Sequence, residues 1–244
     1  MSRQRLGQHF LIKGSVLERI ARAACPQPEP LVIEIGPGRG ALTAKLLERA
    51  AHVVAIEIDP SLAGHLRRKF AGRLEVVEAD VLSTDLARWG AAPIAGNLPY
   101  YITSPILERT LRLRPPRAVF LLQKEVALRL VAQPCSRDYG YLTVATSLFA
   151  AARLLCEVPP SAFRPPPNVD SAVVEFTPVP QLVPDDAAFL EFAAQCFHHK
   201  RKTIRNNLAV VYGKDVVESW PEAALRAEQL SLPQLLDMWR RPRH

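Results

Sequence analysis

Five short apolar runs, each followed by a segment able to form a helix, constrain the fold of this chain more than any other feature. The runs span residues 31–35, 52–59, 74–80, 93–97 and 118–122. Runs of this length that are apolar throughout are typical of strands buried on both faces. Strands that alternate with helices favour a doubly wound α/β fold, in which helices cover both faces of a mostly parallel sheet.

The end of the predicted sheet differs from its beginning. Residues 152–158 and 171–177 predict two further strands, and the twelve-residue linker between them, at 159–170, contains five prolines. Because proline interrupts both helices and strand ladders, this linker suits an antiparallel return better than a helical crossover. We therefore expect the sheet to end with a reversed last strand.

A second proline-rich segment, at residues 177–184, separates the sheet pattern from a wholly helical one. Beyond it, apolar residues recur at helical spacing over 185–211 and again over 222–239, as expected for helices that pack on one face. We therefore expect two domains, a sheet-containing domain at residues 1–180 and a small helical domain at residues 181–244.

Composition narrows the class of partner and compartment. The chain has 31 Lys and Arg against 24 Asp and Glu, a net charge of +7, which agrees equally with a polyanionic partner and with simple solubility.

Its four cysteines lack the spacing of a zinc site or a disulfide framework, so no metal is expected. No apolar run approaches the ~18 residues of a membrane span, and the N-terminus lacks the apolar segment of a secretion signal. We expect a cytoplasmic protein without membrane contact.

A glycine turn and two acidic residues predict a ligand site at the carboxyl ends of the first three strands. Gly36, Gly38 and Gly40 follow the first strand, where the backbone can approach a ligand closely. Glu57 ends the second strand and can accept hydrogen bonds from ribose hydroxyls. Asp80 ends the third strand and can accept from an adenine amine, or can instead serve as a helix N-cap or turn residue. An adenosine-containing cofactor is favoured, although the turn also fits the G-x-G-x-x-A pattern of nicotinamide dinucleotide sites.

The fourth strand ends in Asn97, Leu98, Pro99 and Tyr100. The exocyclic amine of a nucleobase is a poor nucleophile, because its lone pair is delocalised into the ring. An enzyme that alkylates it gains by accepting its two hydrogens. The Asn97 side-chain carbonyl and the Leu98 backbone carbonyl suit that task, and Tyr100 offers a ring on which a base can stack. A buried asparagine closing a strand and a core tyrosine would explain the same residues equally well.

Together with other segments along nearly the whole chain, these residues resemble the N6-adenine methyltransferases that use S-adenosylmethionine. They resemble more closely the ribosomal RNA adenine dimethyltransferases of the KsgA family. The segments that carry the resemblance are Gly7-Gln-His-Phe-Leu11, Glu34-Ile-Gly-Pro-Gly38, Glu57-Ile-Asp59, Asp80-Val81, Gly96-Asn-Leu-Pro-Tyr100, Tyr139-Gly140, Phe163-Arg-Pro-Pro-Pro-Asn-Val-Asp-Ser171 and Lys200-Arg-Lys-Thr-Ile-Arg-Asn206. The last two look more like the small-subunit family than the related enzymes that methylate large-subunit RNA.

The resemblance implies a metal-free transfer of methyl groups from S-adenosylmethionine to the N6 amine of adenines in a loop of small-subunit ribosomal RNA. The product would be dimethyladenine, made during ribosome assembly. The cofactor site would be lined by His9, Leu11, Gly36, Gly38, Glu57, Asp80 and Asn97. The target adenine would be held by Asn97, Leu98 and Tyr100, with Phe163 as a second aromatic contact. Position 9 often carries Asn in this family, and an imidazole replaces only part of its hydrogen-bonding capacity.

The resemblance also implies a division of labour between the domains, with cofactor binding and catalysis in residues 1–180 and RNA binding in residues 181–244. Within the second, a basic run with no acid predicts phosphate contacts and consists of Lys200, Arg201, Lys202 and Arg205. A solvated helical face is the alternative. The implied partners are small-subunit ribosomal RNA and the immature small ribosomal subunit, met by a monomer. Two other functions stay open, a noncatalytic RNA-binding assembly factor and a nicotinamide dehydrogenase.

Overall fold

The computed structural model describes residues 9–241. Its strands are β1 (Phe10–Leu11), β2 (Glu29–Ile35), β3 (Ala50–Glu57), β4 (Leu74–Glu78), β5 (Ile94–Asn97), β6 (Ala118–Gln123), β7 (Ala150–Val158), β8 (Phe163–Arg164) and β9 (Ser171–Pro178). Its α-helices are α1 (Gly14–Ala24), α2 (Ala41–Leu46), α3 (Pro60–Lys69), α4 (Thr103–Leu111), α5 (Lys124–Leu130), α6 (Tyr141–Ser147), α7 (Asp186–Cys196), α8 (Ile204–Tyr212), α9 (Lys214–Glu218) and α10 (Leu232–Trp239). Short 3₁₀ turns span Ala87–Trp89, Tyr100–Ile102, Pro160–Ala162 and Ala227–Gln229.

A seven-stranded sheet in the order β4-β3-β2-β5-β6-β9-β7 forms the centre of the fold. The strands from β2 to β6 pair in parallel with their neighbours. In contrast, β9 runs antiparallel to β6, with Phe120 opposite Val174. The predicted mostly parallel sheet with a reversed last strand is therefore confirmed. The reversed strand β9 lies inside the sheet, between β6 and β7, and it is buried from Ser171 to Phe176.

The apolar face of α1 shows how the sheet is covered. Its buried residues recur at helical spacing and are Val16, Leu17, Ile20, Ala21 and Ala24. They belong to one core cluster with sheet residues such as Val32, Val53 and Val119. Burying a side chain of this size stabilises the fold by about 1.5–3 kcal/mol. This packing fixes the sheet, so the carboxyl ends of its parallel strands stay side by side at one edge.

The chain forms two compact units. The first contains the described residues up to Ala127 together with Ala151–Pro178, and the second contains Leu128–Ala150 together with the described residues from Val179 onward. The helical unit is therefore larger than the expected 181–244. Within it, the buried Tyr139 donates its hydroxyl to the Leu230 carbonyl at 2.8 Å, and the Cys135 amide donates to the Glu228 carbonyl at 2.8 Å. These contacts join two segments that the linear pattern separates.

Two classes of feature are absent from the part of the chain that the structure describes. None of the helices within residues 9–241 combines the length and the apolar character that crossing a membrane requires. Over the same residues, no group of three or more His, Cys, Asp or Glu side chains could hold a metal ion.

Candidate active site

A cavity of about 320 Å³ opens at the carboxyl edge of the parallel strands. The ends of four neighbouring strands contribute to it, through Gly36, Glu57, Asp80 and Asn97. All of its lining residues belong to the first unit. Its size is in the range of small-molecule sites, and it brings together residues that lie far apart in the sequence.

The glycine turn after β2 adopts a backbone that other residues avoid. Gly36, Gly38 and Gly40 have φ angles of +67°, +56° and +78°, and such left-handed conformations cost an L-residue roughly 1–2 kcal/mol. A Cβ atom on Gly38 would also lie 2.9 Å from the ring of Phe10, closer than two carbon atoms normally approach. The turn therefore needs glycine both for its backbone conformation and for the close approach of the N-terminal segment.

Glu57 holds the glycine turn in place. Its side chain is 4% exposed, and its two oxygens accept from the Gly38 amide at 3.0 Å and the Asp59 amide at 2.9 Å. Burial raises the pKa of this carboxyl. Because each carboxylate oxygen can accept a second hydrogen bond, Glu57 can fix the turn and still receive ribose hydroxyls.

Asp80 combines its two predicted roles. One oxygen, Oδ1, accepts from the Leu82 amide at 2.8 Å and closes a turn after β4. The other, Oδ2, has no hydrogen-bond partner within residues 9–241, and the residue lines the cavity. Asp80 can therefore hold the turn and bind a ligand at the same time, since each role uses a different oxygen.

Glu34 and Ile58 are among the cavity residues to which sequence reasoning gave no role. Glu34 is 1% exposed and accepts from the Thr43 hydroxyl at 2.6 Å. Its burial raises its pKa to about 8. The available signal was an acid inside the otherwise apolar run at residues 31–35. Ile58, next to Glu57, is 52% exposed, and an exposed apolar side chain in a cavity offers a surface for a flat ring.

The strap, defined here as residues 9–13, closes one side of the cavity. Its strand β1 pairs antiparallel with β8, with Leu11 opposite Phe163. The Ile12 amide donates to the Ala162 carbonyl at 2.8 Å, and His9 Nδ1 lies 2.9 Å from the Pro165 carbonyl oxygen. His9 and Leu11 line the cavity as predicted. The start of this motif, residues 7 and 8, lies outside the described residues.

Phe163 does not line the cavity. Its side chain is 3% exposed and packs in the core cluster that also contains Leu11 and Leu17. The Phe163 ring therefore packs in the core and not on the cavity wall, where a second aromatic contact with a base was expected. Pairing with β1 turns the Phe163 ring into the core, where it supports the strap.

Asn97 is oriented by the strap. Its side-chain nitrogen Nδ2 donates to the His9 backbone carbonyl at 3.0 Å. Its oxygen Oδ1 accepts no hydrogen bond within residues 9–241, and the residue lines the cavity. The amide therefore presents an acceptor to a ligand, because its donor is already used by the protein.

Leu98 and Tyr100 complete the predicted base site. The Leu98 amide donates to the Leu121 carbonyl at 3.0 Å, whereas its own carbonyl accepts nothing in the described part of the chain. The Tyr100 hydroxyl lies 2.6 Å from the Ser171 hydroxyl, and the ring stacks with His9 at a centroid distance of 6.1 Å. Partial burial raises the pKa of Tyr100. Two carbonyl acceptors thus lie beside an aromatic ring of fixed orientation.

The basic run lies in the second unit, before and within α8. Lys200 donates to the Arg137 carbonyl at 2.9 Å, and Arg205 pairs with Glu218 at 3.0 Å. Arg201 and Lys202 are exposed, and their side chains form no ion pair within residues 9–241. Two of the four predicted phosphate-binding cations are therefore already in contact with the protein, and two extend into solvent.

The chain matches the family model for ribosomal RNA adenine dimethylase over residues 1–238. It belongs to this family. The predicted resemblance is confirmed, and the protein is an S-adenosylmethionine-dependent ribosomal RNA adenine dimethyltransferase. The nicotinamide alternative is therefore wrong. It arose because the G-x-G-x-x-A pattern alone does not separate the two kinds of adenosine cofactor.

Relatives of this dimethyltransferase match it over nearly its whole length. Two proteins called ribosomal RNA small subunit methyltransferase A are each 42% identical to it. The one from Acidobacterium capsulatum aligns over 97% of this chain and 89% of its own length. The one from Bordetella pertussis aligns over 97% and 92%.

Two solved structures extend the comparison. A dimethyladenosine transferase from Plasmodium falciparum superposes with a TM-score of 0.81 and 27% identity, over 94% of this chain and 96% of that one. The 23S rRNA methyltransferase ErmE superposes with a TM-score of 0.70 and 30% identity, over 95% and 100%.

The described residues of this dimethyltransferase fit S-adenosylmethionine. The glycine turn leaves room for close backbone approach, and Glu57 and Asp80 retain acceptor capacity for the hydroxyls and the amine of an adenosine. Glu34 adds a buried carboxyl to the same cavity, where a cation favours its ionised form. The cofactor supplies an activated methyl group on a positively charged sulfonium centre.

Proposed function

We propose that this dimethyltransferase modifies adenines in a loop of small-subunit ribosomal RNA, on the immature small ribosomal subunit. In this proposal Asn97, Leu98 and Tyr100 hold the target base. The cofactor is held by His9, Leu11, Gly36, Gly38, Glu57 and Asp80, with Asn97 between the two ligands. The observation that carries the proposal is the hydrogen bond from Asn97 Nδ2 to the His9 carbonyl, because it leaves Oδ1 available to accept.

The two free acceptors match the two hydrogens of an adenine N6 amine. Asn97 Oδ1 and the Leu98 carbonyl come from adjacent residues at the end of β5. Accepting both hydrogens draws the nitrogen lone pair out of conjugation and orients it, so these contacts strengthen as the transition state forms. Holding nitrogen and methyl group in line is worth about 7–11 kcal/mol of the barrier. The residues therefore need to position the reactants, and no general base is required.

The small-subunit substrate is favoured over the large-subunit substrate by two features. The relatives described as small-subunit methyltransferases are 42% identical to this chain, against 30% for the large-subunit enzyme ErmE. The Val169-Asp-Ser171 segment that resembles the small-subunit family also reaches the site, since Ser171 is bonded to the Tyr100 hydroxyl. This segment thus helps to orient the proposed stacking ring.

RNA binding is proposed for the second unit, through Lys200, Arg201, Lys202 and Arg205. Phosphate contacts supply affinity without reading the sequence, whereas an unpaired loop allows a base to be extruded into a pocket. A cytoplasmic location follows from the proposed substrate.

A methyl-transfer assay on defined particles tests the proposal. Small ribosomal subunits lacking the modification are incubated with the enzyme and S-adenosylmethionine carrying a labelled methyl group. We expect label in small-subunit RNA, recovered as dimethyladenosine after digestion. Purified large-subunit RNA serves as the control substrate. Label only in large-subunit RNA would overturn the proposed target, and no label in either would point to a noncatalytic assembly factor.

A further inference from the structure

Tyr101 is the only aromatic residue among the strongly exposed large apolar side chains of residues 9–241. Its side chain is 64% exposed, whereas Phe120, Phe149 and Phe176 are almost fully buried. Its hydroxyl makes no hydrogen bond within the described residues. A single exposed apolar residue is ordinary on a protein surface, but Tyr101 also lines the cavity that contains Asn97 and Tyr100. Its ring therefore lies at the edge of the active site, partly in solvent.

The backbone around Tyr101 holds the ring in this exposed position. It is the middle residue of the 3₁₀ turn Tyr100–Ile102, in which the Ile102 amide donates to the Pro99 carbonyl at 3.2 Å. The hydroxyl of the buried Thr103 donates to the Pro99 carbonyl at 3.1 Å. Because Tyr100 is also tied to Ser171 at 2.6 Å, the turn is fixed from both ends. These bonds fix the backbone from which the Tyr101 ring extends.

We propose that Tyr101 is a substrate-binding residue, on whose ring a nucleotide flanking the target adenine stacks. This inference rests on the proposed function, because it needs an RNA whose target base has been extruded. Extrusion leaves the neighbouring bases without a stacking partner, and they stay outside the cavity. An exposed aromatic ring at the cavity edge replaces that partner and accepts any base, since every base has a π-face.

A nucleobase fits the position of this ring better than the cofactor does. The proposed cofactor contacts come from the strap and the ends of β2, β3 and β4, whereas Tyr101 follows directly on the residues that receive the adenine amine. The exposed ring of Tyr101 therefore lies next to the proposed base site, where the part of the substrate outside the cavity would pass.

Steady-state kinetics with unmodified small ribosomal subunits test this assignment. We expect Tyr101→Ala to lower kcat/KM for the subunit roughly 5- to 150-fold, mainly through a higher KM. Tyr101→Phe and Tyr101→Trp are expected to retain near wild-type values, because stacking needs the ring and not the hydroxyl. Binding of S-adenosylhomocysteine, measured by calorimetry, is expected to be unchanged in all three variants. Leu113→Ala, at another exposed apolar residue of the first unit, is the control and is expected to behave as wild type.

Three results would overturn the assignment. The first is a Tyr101→Ala enzyme with wild-type kcat/KM. The second is a parallel loss of S-adenosylhomocysteine affinity, which would mean that the ring covers the cofactor. The third is failure of Tyr101→Phe to retain activity, which would indicate a role for the hydroxyl. If wild-type enzyme transfers no methyl group to small subunits, the proposed function itself fails, an outcome separate from these three.

Discussion

Asn97 and Glu57 each use part of a forked side chain to hold the backbone around the cavity. Asn97 commits its nitrogen to the His9 carbonyl, and Glu57 receives the amides of Gly38 and Asp59. The remaining acceptor capacity is available to the proposed ligands, since both residues line the cavity. A single residue can therefore serve both structure and chemistry, and substitutions at these positions change the strap or the turn together with the ligand contact.

Replacing Asn97 separates methyl transfer from RNA binding. We expect Asn97→Ala to lower kcat at least about 100-fold, the effect typical of losing one preorganised polar contact with the transition state. Affinity for the small subunit is expected to change little, because phosphate contacts elsewhere carry most of it. Label transfer and filter binding on the same particles measure the two quantities. Equal losses in both assays would contradict this division.

Glu34 makes stability depend on pH in an unusual direction. Its pKa is about 8 in the folded protein against an ordinary value of 4.5, so between these values the folded state holds a proton that the unfolded chain has released. The free energy of unfolding therefore falls as pH rises from about 4.5 to 8. Glu57 is shifted in the same direction by burial and adds to the slope.

Glu34→Gln tests this linkage. The variant keeps an acceptor for the Thr43 hydroxyl but cannot ionise. We expect it to exceed the wild type in stability at pH 8 by roughly 1–4 kcal/mol, since each unit of pKa shift corresponds to about 1.4 kcal/mol. At pH 4.5 the two proteins should be equally stable. Urea unfolding at both pH values is the measurement, with Glu48→Gln, at an exposed glutamate, as the control. If the free energy of unfolding changed with pH equally in wild type and Glu34→Gln, Glu34 would not be the source of the pH dependence.

At the scale of elements, the glycine turn and the strap form one structure. Alanine at Gly38 carries two costs, a left-handed backbone and the displacement of Phe10. Gly72 has a φ angle of +95°, but no atom lies within 4 Å of the position that a Cβ would take there, so alanine at Gly72 carries only the first cost. Comparing Gly38→Ala with Gly72→Ala therefore separates the effect of backbone strain from the effect of displacing the cavity wall.

We expect Gly38→Ala to weaken binding of S-adenosylhomocysteine about 10-fold or more, equivalent to about 1.4 kcal/mol, because the strap that lines the cavity must shift. Gly72→Ala is expected to leave that affinity unchanged. Backbone strain should lower the stability of both variants by about 1–2 kcal/mol, and Gly38→Ala should lose more because Phe10 is also displaced. Calorimetric titration measures the affinity of each variant, and thermal unfolding measures its stability. Equal affinities for the two variants would contradict the inference that the glycine turn and the strap form one wall of the cavity.

At the scale of the whole molecule, the salt dependence of subunit binding distinguishes the cations of the basic run. Arg201→Ala is expected to reduce the slope of log affinity against log salt by about 0.7–0.9, the loss of one phosphate contact. Arg205→Ala, at a residue already paired with Glu218, is expected to reduce it less. Binding titrations at several salt concentrations measure both, and a larger effect at Arg205 would contradict the assignment.

The sequence by itself determined the main strands of the parallel sheet, the reversed last strand and several of the residues around the cavity. These follow from short-range periodicity, proline placement and glycine spacing, which act within a few residues. The Asn97-to-Tyr100 segment and the acids Glu57 and Asp80 could also be predicted as site residues from the sequence. They follow predicted parallel strands, and the carboxyl ends of such strands meet at one edge of the sheet.

Only the tertiary structure decided which distant segments support one another. The bond between Asn97 and His9 spans 88 residues, and that between Tyr139 and Leu230 spans 91. The first leaves an acceptor facing the cavity, and the second draws residues 128–150 into the helical unit. Neither is visible in a local pattern, and the same is true of Phe163, which strand pairing turns into the core. Such contacts depend on how whole elements pack, and packing is a property of the assembled chain.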